Sequence, residues 1–160
     1  MKNITFVLRR NKQSLYITMD IAFFQVNMLA ESTYVFCDET HTFAVVIDPG
    51  TRTAKECESL DIHIDSLGCR EVIVLLTHTH LDHIFGVAHL VDRYGAKVYT
   101  HKLEEDYLFM NTYLCDSWHI PEPDAFKVDK HIAGGDVLEF GSLSIKVLDV
   151  PGHWADWPII

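Results

Sequence analysis

The sequence predicts an α/β fold built on a mixed sheet with flanking helices. Three features carry that prediction. Segments rich in β-branched and aromatic residues alternate with segments of helical periodicity. Residues 72–76 (VIVLL) are apolar throughout, the pattern of a strand buried on both faces. Glycine or proline punctuates the junctions at Pro49-Gly50, Gly68, Gly95, Gly134-Gly135 and Pro151-Gly152. With 160 residues, 48% of them apolar and 22% charged, the chain can also close one hydrophobic core.

The elements follow in order. Residues 33–37 and 43–47 are strand-type runs joined by the polar link Asp38-Glu39-Thr40-His41, which reads as a hairpin. Asp48-Pro49-Gly50 ends the second strand. Over residues 51–66, Ala54, Cys57, Leu60 and Ile64 make a helical stripe that Gly68 closes. After the buried strand, residues 82–94 read as one helix, with Ile84, Val87, Ala88 and Val91 facing inward and Gly95 as its stop. Residues 97–100 read as a short strand, and residues 102–114 as a helix leading into a polar loop through Pro123. Gly134-Gly135-Asp136 is a turn, and residues 143–150 are a strand ended by Pro151-Gly152.

Composition narrows the function classes. The net charge of −10 argues against nucleic acid as a partner. No apolar run approaches the ~20 residues of a membrane span. Lys2, Arg9, Arg10 and Lys12 give residues 1–18 a local charge of +4 with no acid, and Arg9–Lys12 breaks up any signal-peptide core. The cysteines Cys37, Cys57, Cys69 and Cys115 form no CxxC pair, so they read as reduced structural thiols of a cytoplasmic protein.

The ten histidines are nearly as many as the 13 Lys and Arg together. His41, His63, His89, His101, His119 and His131 each read as surface or hydrogen-bonded residues. The stretch Thr77-His78-Thr79-His80-Leu81-Asp82-His83 is different, because it stands where the buried strand gives way to a helix. In extended backbone, residues two apart point the same way, so His78 and His80 can converge on one ion. Asp82 alone would read as a helix cap, but with His83 it adds two more ligands within the same six residues. Imidazole with carboxylate suits zinc and related first-row ions, and strand ends are where α/β folds place their sites.

The same stretch, followed by Gly86, resembles the signature of the metallo-β-lactamase-fold hydrolases, in particular their glyoxalase II-like (hydroxyacylglutathione hydrolase-like) branch. Residues 27–49 resemble the first hairpin of that family, ending in Asp48-Pro49-Gly50. Residues 134–138 (GGDVL) resemble a later turn, and Val150-Pro151-Gly152-His153 the segment of a third histidine ligand. The resemblance implies the N-terminal half of an αββα sandwich. It implies that His78, His80 and His153 hold a first metal and that Asp82 and His83 begin a second, with Asp82 also catalytic and Asp48 supporting the site by fixing a ligand's tautomer or loop. It further implies hydrolysis of a small-molecule thioester or related acyl bond by a metal-activated hydroxide. Two zinc ions fill the complete site of that family, with iron or manganese as alternatives.

Against that family pattern the chain reads as three parts: an atypical basic extension (1–18), an incomplete metallo-β-lactamase-like domain (19–153) and a divergent tail (154–160). A start at Met19 would make the extension translated upstream sequence. The codons of Trp154-Ala155-Asp156-Trp157-Pro158, shifted in frame, can encode Gly-Gly-Leu-Ala, which reads the tail as frameshifted. A half sandwich should leave an apolar sheet face bare and open to dimerisation or aggregation. Two other functions fit the same residues: a non-catalytic metal-binding fragment, and a persulfide dioxygenase-like oxidoreductase with one iron.

Overall fold

A computed structural model describes residues 21–150 in full, and residues 2–10 and 151 in their backbone. The expected ligand His153, the start at Met19 and the tail 154–160 lie outside the described residues. The elements are β1 (Lys2–Arg10), β2 (Ile21–Val26), β3 (Glu31–Cys37), β4 (Phe43–Ile47), α1 (Ala54–Leu67), β5 (Glu71–Leu75), α2 (Leu81–Ile84), α3 (Val87–Tyr94), β6 (Lys97–His101), α4 (Lys102–Tyr107), α5 (Met110–Trp118), β7 (Lys130–Ile132), β8 (Val137–Phe140) and β9 (Leu143–Pro151).

Six strands form one sheet in the order β2-β3-β4-β5-β6-β7, antiparallel from β2 to β4 and parallel from β4 to β7. Alternation along β5 explains its unbroken hydrophobicity. Val72 and Val74, with Leu76 just beyond the strand, face a layer built with Leu60 and Ile64 of α1, Ile84 of α2, and Val87 and Leu90 of α3. Ile73 and Leu75 face the opposite side. There Leu138 and Phe140 of β8 and Leu143, Ile145 and Val147 of β9 pack over them. The face expected to be bare is therefore covered across β4 and β5. At its β2 edge, Ile21, Phe23 and Tyr34 stay exposed.

A second sheet, in the order β1-β9-β8, carries that cover, with β1 paired to β9 from Lys2↔Pro151 to Arg10↔Leu143. The nine residues of β1 come from the segment that its charge sets apart. Among the described residues no helix is long and apolar enough to cross a membrane.

Helix limits follow local chemistry. Thr53 caps α1 through a capping box with Glu56, and Gly68 in the left-handed region closes it. The single helix expected over 82–94 is two, α2 and α3, parted at Phe85-Gly86. The Gly86 N–H donates to Pro49 O at 2.8 Å, while the Asp82 carbonyl it would have used accepts from Asn27 Nδ2 at 2.9 Å. A Cβ at Gly86 would lie 2.2 Å from Thr51 Oγ1, so only glycine fits this approach. The helix expected over 102–114 is likewise divided into α4 and α5.

Candidate metal centre

β4, β5 and β6 run parallel, so the residues that follow them gather at one edge of the sheet. Asp48 follows β4 and is buried with φ of 49°, a left-handed conformation that few non-glycine residues adopt. Its carboxylate reaches across to the segment after β5, where Oδ1 accepts from Thr77 N at 2.7 Å and Oδ2 from Thr77 Oγ1. The Thr77 hydroxyl has then spent its proton, so at 2.9 Å it accepts from His78 Nδ1–H. The lone pair of the neutral His78 ring is thereby left on Nε2.

Three imidazoles converge here. The His78 ring centroid lies 4.6 Å from that of His80 and 4.0 Å from that of His83. His78 and His80 are buried and His83 is half-buried. His83 Nδ1 stands 3.1 Å from Asp48 Oδ2 and 3.7 Å from Glu31 Oε1, and its Nε2 is 3.6 Å from Asp82 Oδ2. Burial works against protonation of His83, but Asp48 above all, then Asp82 and Glu31, outweigh it and raise its pKa. Burial in turn lifts the Glu31 carboxyl to about 8, against the opposing pull of His83.

The donor set suits a first-row divalent cation. Asp48, His78 and His83 each bring one ligand atom within 4.8 Å of the others. Ligands of one tetrahedral ion at ~2.1 Å stand ~3.4 Å apart, so side-chain shifts of up to about an ångström would close this set on one ion.

Supporting contacts hold the histidine segment in place. Thr79, between the two histidines, donates N–H to Glu104 Oε2 at 3.0 Å and Oγ1–H to the Glu104 carbonyl at 2.9 Å. Asn111 Nδ2 donates to Thr79 O at 2.8 Å. Glu104 is wholly buried, and that burial raises its pKa. Asn27 ties the Gly50 carbonyl to that of Asp82. A Cβ on Gly50 would meet Asp82 O at 2.2 Å and Glu31 Oε2 at 2.4 Å, which is why the backbone can close up beneath the site.

Of the residues singled out from sequence, His78, His80, Asp82, His83 and Asp48 share this one edge. Glu31, Asn27, Glu104 and Asn111 were missed, because nothing in their local pattern signals burial or long-range pairing. Among the other histidines, His89 binds Asp61 at 2.9 Å, His131 binds Glu105 at 2.6 Å, and His101 caps α4.

Comparison with known proteins adds four findings. Residues 27–156 match the family described as the metallo-beta-lactamase superfamily. The hydroxyacylglutathione hydrolase GloC of Haemophilus influenzae is 27% identical over 137 residues, covering 84% of this chain and 62% of that protein. A hydroxyacylglutathione hydrolase of a Bradyrhizobium strain is 30% identical over 134 residues, covering 80% of this chain and 46% of its own length. The crystal structure of the BLEG-1 B3 metallo-beta-lactamase superposes with a TM-score of 0.64 at 24% identity, over 77% of this chain and 57% of that one. The chain thus spans about half to three fifths of the length of these relatives.

Proposed function

The chain belongs to the metallo-β-lactamase superfamily of metallo-hydrolases, and from that premise we propose that it hydrolyses an acyl thioester in the cytoplasm. The observation that carries the reading is the convergence of His78, His80 and His83 with Asp48 and Asp82 at one strand edge. The likeness to two hydroxyacylglutathione hydrolases supports the substrate class. None of the four cysteines is in a disulfide, which suits a reducing compartment.

In this reading His78, His80 and His153 would hold a first metal and Asp82 and His83 would begin a second, zinc in first place with iron or manganese as alternatives. A bound divalent cation would polarise the acyl carbonyl and acidify a water molecule. The chain's own residues do the rest. Asp48 and Thr77 lock the tautomer of His78 and draw His83 toward the site. Asp82 orients the attacking water and takes its proton. Water oxygen bonds to the acyl carbon, the C–S bond breaks, and the leaving sulfur recovers the proton as a free thiol.

The test is thiol release from an acyl-glutathione thioester by the purified chain, stripped with chelator and reloaded with zinc. Release that stops on stripping, returns with zinc and is lost in His80→Ala is expected. A zinc-loaded, folded chain that releases no thiol, or an iron-loaded chain that consumes oxygen with a persulfide, overturns the reading.

A further inference from the structure

The opposite edge of the same sheet carries a second group of ligand-type side chains, which the hydrolytic reading does not use. Cys37 ends β3, His41 lies in the turn before β4, and Cys69 stands between α1 and β5. Each brings one ligand atom within 4.8 Å of the other two. We propose that Cys37, Cys69 and His41 form a second metal site, for a thiophilic cation of the zinc class, remote from the histidine–carboxylate centre.

The geometry is built and rigid. The Asp38 carboxylate is fully buried in the β3–β4 turn and accepts from Thr40 N at 3.0 Å and from Thr42 N and Phe43 N at 2.7 Å each, with the Thr40 hydroxyl bound as well. This carboxylate winds the turn so that His41 adopts φ of 53°. A non-glycine residue held there is a strained position that its surroundings must enforce. The segment bearing Cys69 is fastened to the same turn, because Thr42 O accepts from both Arg70 N and Glu71 N at 3.0 Å. All three ligands therefore sit on one cross-braced frame.

The imidazole is oriented too. His41 Nδ1 lies 2.7 Å from Leu67 O and 3.8 Å from Cys37 Sγ. A carbonyl only accepts, so Nδ1 carries the proton in the metal-free protein, and a cation bound beside Cys37 through this nitrogen takes the place of that proton. Cys37 and Cys69 are half-buried and His41 is exposed, which leaves a path for an ion. Two thiolates and one imidazole, with a fourth position for water, are a donor set for zinc, whereas the histidine–carboxylate edge offers nitrogen and oxygen donors without sulfur.

Cobalt(II) is the probe, because only thiolate ligands give it intense sulfur-to-metal charge-transfer absorption, and the histidine–carboxylate edge has none. The reduced chain, titrated with Co2+ without oxygen, should develop that band. Cys37→Ser and Cys69→Ser should each abolish it, Cys57→Ser should leave it, and His41→Ala should weaken Co2+ binding by ~10-fold or more. Alkylation mapped by mass spectrometry on the unmutated chain decides the matter if a serine variant fails to fold. Zinc should shield Cys37 and Cys69 and leave Cys57 unshielded. A reduced chain with no charge-transfer band, a band that survives loss of both cysteines, or a Cys37–Cys69 disulfide in place of the metal-bound pair overturns the site.

Discussion

The two edges of the six-stranded sheet use the same construction with different donors. At one edge Asp48, in left-handed backbone, gathers the Thr77 N–H and hydroxyl and faces His83. At the other, Asp38 gathers three backbone N–H groups and sets His41 in left-handed backbone. A buried aspartate thus fixes the strand-end loop in both places. The side chains then decide the chemistry: imidazoles and carboxylates at the first edge, two thiols and an imidazole at the second. A rigid frame is therefore separable from the reactivity mounted on it. The first edge holds oxygen donors suited to binding and activating water, and the second holds sulfur donors suited to closing a structural site.

Point changes at each edge separate the two. The largest effect is expected for His80→Ala, which should lower thiol release by ~100-fold or more, as loss of a directly placed catalytic group typically does. It should leave the cobalt–thiolate band of the other edge in place, and disappearance of the band would merge the two edges into one unit. Leu75→Ala removes a fully buried side chain from the layer between the two sheets. It should cost about 2–5 kcal/mol in chemical denaturation. Both edges should weaken together in that variant, since they share the sheet. Asp48→Asn keeps the shape but weakens the hold on Thr77 and His83, and should lower zinc affinity ~10–100-fold by competition with a calibrated chelator.

The smallest effect concerns the cap of α1. Thr53→Ala should cost about 1 kcal/mol and leave metal binding at both edges unchanged. Its partner Glu56 adds a pH signature. Burial pushes the Glu56 carboxyl up, but the N–H groups of Thr53, Arg52 and Asn27 outweigh it and hold the pKa below 4.5. A depressed carboxylate contributes stability that is present above its unfolded-state pKa and lost as pH falls through its folded-state pKa. Melting curves of Glu56→Gln should therefore differ from those of the unmutated chain at neutral pH and converge with them below pH 4.5.

Much of the fold is written locally and was legible in the sequence. Residues 72–76 declare a doubly buried strand, and Gly68 and Gly95 stop helices in the left-handed region. His78, His80, Asp82 and His83 likewise announce themselves, because their spacing falls within one strand-to-helix junction. What was not legible depends on distant partners. The break at Gly86 exists because Pro49 O and Asn27 take over the hydrogen bonds of a continuing helix. Glu31 and Glu104 are acidic side chains that a sequence assigns to solvent, yet both are buried around the histidines. Cys37, His41 and Cys69 have no motif spacing, and only the hairpin together with the parallel β4–β5 pairing brings them to one point.

The central claim is that the imidazoles at the Asp48 edge hold the metal on which hydrolysis depends. Histidine side-chain NMR during zinc titration of the chelator-stripped chain, with thiol release followed in the same samples, tests it most directly. The resonances of His78, His80 and His83 should shift over the same range of added zinc in which thiol release appears. Release that rises while these three signals stay fixed, or signals that shift to completion without release, would contradict the account.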